Sequence, residues 1–416
     1  MSAARLVALA LACLLSLPAA ASDNTPLARV IVLRHGVRSP TSAPAELAPT
    51  AAKAWHAWPV APGVLTEHGA AAMQSLGQRY RQMLMADGLW SGRCDEQGRV
   101  SILADSTPRN RASGAALAKG LGGNCHLTYR ALPAEQSNPL FHYAEAHGAK
   151  DGDAPTVTPQ AWPPVALTEL QSILLGCEDK ACVDNARQQG RKLLLDPAHD
   201  DAASRSKAIK SAGSLSENLM LEYVQGFPAA EVAWGHGNEA TIGRLISLHN
   251  LQFALAKKPL PNAAPAGSNL LAHIMATLQQ AAGVPPEVQP LASRQTPTVL
   301  LVAHDTNLAN LAGLLDVDWH DARQPDDYPP GGALVFDLVR VHGEDVVRLS
   351  SWMPTLNGLR NARLEPADAM VIRTLRLPPC PDTDACPLTR VQPWLQSRMA
   401  SDATDHDIPV MPVVLP

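Results

Sequence analysis

The sequence predicts an α/β fold: a mixed sheet flanked by helices and interrupted by a mostly helical inserted domain. Three observations carry this expectation. Short apolar, β-branched runs at residues 29–33, 100–104 and 298–303 each give way to a helical pattern, as strands joined by helical crossovers do. Strand signals vanish between about residues 127 and 250, where helical spacing persists. The residues richest in chemistry, Arg34-His35 and His304-Asp305, stand where two of the runs end. Open α/β sheets bind ligands beyond the carboxyl ends of their strands.

Each element has its own justification. Residues 29–33 (R-V-I-V-L) read as a buried strand ending at Arg34-His35-Gly36. After a proline-punctuated stretch, residues 66–87 carry Met73, Leu76, Tyr80, Met83 and Leu84 at helical spacing, and Gly88 marks the stop. The strand at 100–104 feeds a helix with Thr107 as N-cap and Pro108 in its first position. Helices are expected over 167–175, 186–195, 215–223 and 242–255. The third strand precedes a helix with Leu308, Leu311, Ala312 and Leu315 on one face. Pro329-Pro330-Gly331-Gly332 turns the chain into two antiparallel strands, 333–339 and 346–352, and 370–377 reads as a third. The tail from Ser401 is expected to be extended or loose. The organisation is then a signal at 1–21, the first part of the α/β domain at 22–126 with helix 66–87 contributing to a helical cap, a mainly helical domain at 127–250, and the second part of the α/β domain at 251–416.

Composition bounds the function. With 46% hydrophobic and 18% charged residues the chain is globular. A net charge of −5 provides no global field for nucleic acid or anionic lipid, so positive charge serving an anionic substrate has to be local. Arg5, the apolar run 6–17 and Ala19-Ala20-Ala21 read as a secretory signal cleaved after Ala21, which places the chain in the periplasm or outside the cell. That run is too short to span a bilayer, and no later segment approaches the ~20 apolar residues a span needs. Cys13 leaves with the signal and lacks the leucine of a lipoprotein site. Six cysteines remain, an even set that in an exported chain points to disulfides. Short loops close most easily, which pairs Cys94–Cys125, Cys177–Cys182 and Cys380–Cys386. Metal binding is the alternative, but there is no C-x-x-C and no ligand-spaced histidine pair beside them.

The chemistry concentrates in three places. Arg34-His35-Gly36-Val37-Arg38-Ser39-Pro40-Thr41 sets an imidazole between two guanidiniums, whose planar donors match phosphate oxygens. Positive neighbours lower the histidine pKa and free a nitrogen for attack, and Gly36 is expected to let the backbone turn closely around the anion. His304-Asp305-Thr306-Asn307 offers an anion donor in His304 and a proton donor in Asp305. Arg109, second in its helix, joins free N–H groups that could converge on the same anion, while Arg111 reads as solvent-facing.

These strings, together with W-H-A-W-P-V-A-P-G-V-L-T at 55–66, A-D-x-x-x-R at 104–109, Ala233-Trp234-Gly235 and P-P-G-G-A-L-V-F at 329–336, resemble the histidine acid phosphatases, branch 2 of the histidine phosphatase superfamily. Within it the chain is similar to the bacterial periplasmic phytases and glucose-1-phosphatases. The resemblance implies a phosphoglycerate-mutase-like sheet and a phosphohistidine intermediate. His35 would be the nucleophile, Asp305 the proton donor, and Arg34, Arg38, Arg109 and His304 the phosphate clamp. Arginines then supply the charge that Mg²⁺ supplies elsewhere, so no metal or other cofactor is expected. The partner is a small phosphomonoester, with no nucleic acid, no membrane and a monomeric chain expected. The R-H-G-V-R-x-P-T and H-D-T-N strings lean to phytate. Ser42, where phytases typically carry lysine, and the lack of evident cations around 265–269 weaken that reading. The residues from Gly226 to Gly235 and the cysteine pattern lean to glucose 1-phosphate. Thr41, Ser42 and Glu231, the last as a gate, are candidates for the substrate pocket. A mutase-type phosphotransferase and a non-catalytic phosphate binder are the rivals from other classes.

Overall fold

The computed structural model describes residues 25–148, 159 and 161–415; the signal reading at 1–21 lies outside them. A nine-stranded sheet runs in the order β7-β6-β5-β1-β4-β2-β3-β9, with β8 (Cys386–Pro387) on β6. Three predicted strands form its parallel centre. β1 (Pro26–Arg34) pairs with β4 (Thr298–Ala303), which pairs with β2 (Val100–Ala104), in registers Arg34↔Ala303 and Ala104↔Val302. β3 (Tyr129–Arg130) extends this half. On the other side of β1 the sheet turns antiparallel through β5 (Ala333–Val341), β6 (Glu344–Pro354) and β7 (Met370–Leu375), as the proline-glycine turn predicts.

Both faces of the centre are covered, which is why β1 and β4 read as unbroken apolar runs. Alternate residues go to opposite sides. Ile31, Leu33, Leu300, Val302 and Val335 join Met73, Leu76 and Tyr80 of α2 (Glu67–Ala86) and Leu117 and Leu121 of α3 (Pro108–Gly122). The single turn α1 (Pro44–Leu47) precedes this pair. Val30, Val32, Leu301, Leu334 and Phe336 face α9 (Leu260–Ala282) and α10 (Asp305–Leu315) on the other side. The first cluster continues without a break into α5 (Val165–Leu175), α7 (Ala202–Val224) and α8 (Glu239–Ala256). The other helices are α4 (Tyr143–Ala146), α6 (Lys180–Gln188), α11 (Leu356–Arg360) and α12 (Leu388–Gln396).

Three local readings need correction. The helix expected at 186–195 lies earlier, at α6: the Asp179 carboxylate accepts from the Cys182 N–H at its start, and Gly190, at φ 81°, turns the chain away after its end. Helix α9 has no counterpart in the sequence reading, because Pro261 and Pro265 look like breakers; Pro261 sits in its first turn, where proline is tolerated, and the helix continues through Pro265. The tail is extended but not loose, since β9 (Val413–Val414) pairs with β3 and Met411 is buried. At Gly36 packing also demands glycine: a Cβ there would lie 2.6 Å from Cγ of Met73 and 3.0 Å from the Gly69 carbonyl oxygen on α2.

All three expected disulfides, Cys94–Cys125, Cys177–Cys182 and Cys380–Cys386, are present. Among the described residues no helix is long and apolar enough to cross a membrane.

Candidate active site

The carboxyl ends of β1, β4 and β2 are stitched side by side. The His35 N–H donates to the Ala303 carbonyl at 3.0 Å, and the Asp105 N–H donates to that of Val302 at 3.0 Å. The Asn110 amide of α3 donates to both of these carbonyls, at 2.8 and 2.9 Å, and locks the start of α3 against β4. Thr107 takes the N-cap position of α3 in extended conformation, but its hydroxyl serves the Asn110 side chain instead of capping. His304 caps α10, its N–H held by the Asn307 side chain at 3.0 Å, and Asp305 begins the helix.

This scaffold gathers Arg34, His35, Arg38, Arg109, His304 and Asp305, although up to 271 positions separate them in the sequence. Nδ1 of His35 faces the carbonyl of Gly36 at 2.9 Å, which makes it the protonated nitrogen and leaves the Nε2 lone pair free. Nε of Arg109 donates to that Nε2 at 3.0 Å, and Nη2 of the same guanidinium lies 3.3 Å from Nδ1 of His304. Burial, with the charges of Arg34 and Arg109, pushes His35 well below the ordinary histidine range, so its ring is neutral. Arg34 is fully buried. It donates to the Tyr328 carbonyl, pairs with Glu217, and reaches Oδ2 of Asp305 at 2.9 Å. Arg38 donates to both carboxylate oxygens of Glu217 at 3.2 Å. Burial favours the neutral form of Asp305, but the charges of Arg34, His249 and Arg38 together hold the carboxyl below its ordinary range.

Five further residues complete the cluster, and none was singled out by sequence. Glu217 of α7 bridges Arg34 and Arg38; its carboxyl is held far below the usual range despite burial, because two guanidiniums face it. Asp326 and His249 form a buried pair at 3.2 Å behind Arg34. Asp105 accepts from Nε2 of His304 at 2.8 Å and lies 3.3 Å from Nε2 of His142. Asp105 lay inside the A-D-x-x-x-R string, so a signal for it existed. Glu217 reads as one more polar residue in S-E-N until the helix face that buries it is known.

The structure does not bring every expected residue to the cluster. Thr41 is exposed and Ser42 half-buried on the loop after Ser39, and Glu231 is exposed, with its carbonyl accepting from His56. Arg111 is half-buried, not solvent-facing, and donates to the Leu132 carbonyl. Two residue sets place potential metal ligands within 4.8 Å of one another, Asp105-His142-His304 and Glu217-His249-Asp305. In both, these side chains already take part in hydrogen bonds or ion pairs.

A neutral buried imidazole stands among three guanidiniums with a carboxyl group beside it, a local concentration of positive charge suited to an anion. Fold and site together define a phosphoric monoester hydrolase. The family profile of the histidine phosphatase superfamily (branch 2) matches residues 29–201. The chain is 34% identical over 334 residues to phytase AppA of Escherichia coli, spanning 75% of this chain and 76% of that protein. It is 27% identical to the glucose-1-phosphatase of Salmonella typhimurium, spanning 92% of this chain and 96% of that one. Among solved structures, Hafnia alvei phytase in complex with myo-inositol hexakis sulphate superposes with a TM-score of 0.77 at 27% identity, covering 93% of this chain and all of that one. The chain belongs to the histidine phosphatase superfamily, branch 2.

Proposed function

We propose that this chain is an exported acid phosphatase acting on inositol polyphosphate through a phosphohistidine. The observation that carries the mechanism is the orientation of His35: Nδ1 is spent on the Gly36 carbonyl, which leaves Nε2 unprotonated, its lone pair accepting from Arg109. In the first step Nε2 bonds to phosphorus, the ester P–O bond breaks, and Asp305 gives its proton to the leaving oxygen. In the second, water attacks the phosphohistidine, Asp305 takes back a proton, and the P–N bond breaks to release phosphate. Arg34, Arg38, Arg109 and His304 hold the non-bridging oxygens throughout.

Phytate as substrate is supported by the identity to phytase AppA and by the superposition on a phytase that binds a hexakis sulphate. Glucose 1-phosphate is the second reading. It is favoured by Ser42, an uncharged residue on the loop after the Arg34–Thr41 string where a polyphosphate would call for a cation. Initial rates on phytate, glucose 1-phosphate and p-nitrophenyl phosphate decide between them. A KM for phytate far above that for glucose 1-phosphate assigns the site to sugar phosphates. Failure to release phosphate from any of the three leaves only a binder or a mutase. Periplasmic residence is supported by the sequence of residues 1–21 and is tested by fractionation and N-terminal sequencing of the mature protein.

A further inference from the structure

His142 lies outside the strings that carry the family resemblance and has no part in the mechanism above. Yet its Nε2 sits 3.3 Å from Oδ2 of Asp105, the same oxygen that takes Nε2 of His304 at 2.8 Å. The two imidazoles lie 4.9 Å apart between ring centroids. Oδ1 of this buried carboxylate finds no donor among the described residues. The placement is rigid. The Asn307 side chain binds the His304 N–H through its oxygen and the Phe141 carbonyl through its amide at 2.7 Å, and the His142 N–H closes a turn onto the Asn138 carbonyl. Of the three groups, Asp105 and His304 are buried, whereas the His142 side chain retains 27% exposure. His142 is therefore the member that exchanges protons directly with solvent.

Resting on the reading of this site as a phosphate cradle, we propose that His142 is a positioning residue: by sharing Asp105 with His304 it sets the pose of that imidazole, and when protonated it adds a cation that tightens phosphate binding. The charged groups around it are few. Asp105, beyond β2, and Glu145, on its own helix, favour its charge; Arg109 of α3 and His304 oppose it. From the C-terminal segment, Asp405 pairs with His147 and the Asp402 carbonyl with Tyr143, so neither is committed to His142. Burial disfavours the cation, but Asp105 prevails and raises the His142 pKa above 6.5. The charge is thus present in acid, persists through the ordinary histidine range and is lost as pH rises beyond it.

His142→Gln places an uncharged amide donor where Nε2 meets Asp105 and removes the charge; His142→Ala removes both. The measurements are KM and kcat for p-nitrophenyl phosphate and Ki for inorganic phosphate, from pH 5 to pH 9. The Gln variant should show KM and Ki raised ~3–10-fold at pH 5, with kcat within about twofold, and the gap should close toward pH 9. The Ala variant should add a deficit at every pH. If it fails to fold, the Gln variant still carries the test. A gap for the Gln variant that is constant across pH, or no gap at all, overturns the proposal. Wild-type protein that releases no phosphate overturns the hydrolase reading instead, and inorganic phosphate binding then still reports on the cradle.

Discussion

Arg109 directs its Nε–H at Nε2 of His35 from 3.0 Å, so in the proposed mechanism the guanidinium that would hold phosphate also guards the lone pair that would attack it. For the attack to proceed, that N–H has to swing to a stronger acceptor, and a phosphate oxygen carrying negative charge is one. Substrate binding and unmasking of the nucleophile thus become one event. Lysine at this position would keep the charge but lose the fork that spans His35 and His304.

His35→Ala should therefore remove at least ~1,000-fold of kcat on p-nitrophenyl phosphate while the protein stays folded. Acid-quenched wild type, sampled during turnover, should carry base-stable, acid-labile phosphate on histidine. Substantial activity in the variant rules out the phosphohistidine.

Asp305 and His35 set the pH response together. The depressed His35 pKa keeps the nucleophile neutral well into acid, so no steep acid limb arises from it. Arg34 favours the ionised form of Asp305, so proton donation weakens as pH rises, except where bound phosphate dianion raises the carboxyl pKa by like charge. Optimum activity on alkyl phosphates is expected at roughly pH 4–6. Asp305→Asn should lose ~100-fold or more on phytate or glucose 1-phosphate and much less on p-nitrophenyl phosphate, whose leaving group scarcely needs a proton. Equal losses on both would remove Asp305 from the donor role.

Glu217→Gln tests the buried ion network. It leaves Arg34 and Arg38 facing an uncharged amide, and stability should fall by about 2–4 kcal/mol in urea unfolding near pH 7. The sign with pH follows from the depressed carboxyl. In wild type its contribution is complete above the ordinary value of 4.5 and is lost as pH falls below it. The gap between the two proteins should therefore shrink in acid, and a gap that widens there contradicts the assignment.

The disulfides should differ in worth by loop length. Cys94–Cys125 spans 31 positions and Cys177–Cys182 only five. Chain entropy puts the first at about 3.7 kcal/mol and the second at about 2. Paired Cys→Ser replacements followed by thermal unfolding should preserve that order.

The centre of the fold was legible because its strands are buried on both faces and so write themselves as uninterrupted apolar runs: β2 and β4 fall where residues 100–104 and 298–303 predicted. Arg34, His35, Arg38, Arg109, His304 and Asp305, which the structure gathers in one place, were legible because they follow those runs in short local strings. Glu217, Asp326, His249 and His142 were not. Each acts only through a neighbour far away in the chain, and a lone acid or imidazole looks the same in sequence whether solvated or buried against a guanidinium. Helix α9 was hidden for another reason: Pro261 marks its beginning, and the helix runs on through Pro265, which in sequence reads as a stop.

The pairing of β1 carries a consequence for timing. The strand that presents His35 is among the first to be synthesised, yet its two sheet neighbours are β4 and β5, more than 260 residues later. Contacts at such separation form slowly and late. A chain delivered from its N-terminus has its nucleophile in hand early and the walls around it last. Phosphatase activity should accordingly be a property of the finished molecule alone: no N-terminal fragment that stops short of β5, however stable its helices, is able to bring Arg34, Asp305 and His304 to one imidazole. The cell is thus spared an active hydrolase until the last third of the chain is in place.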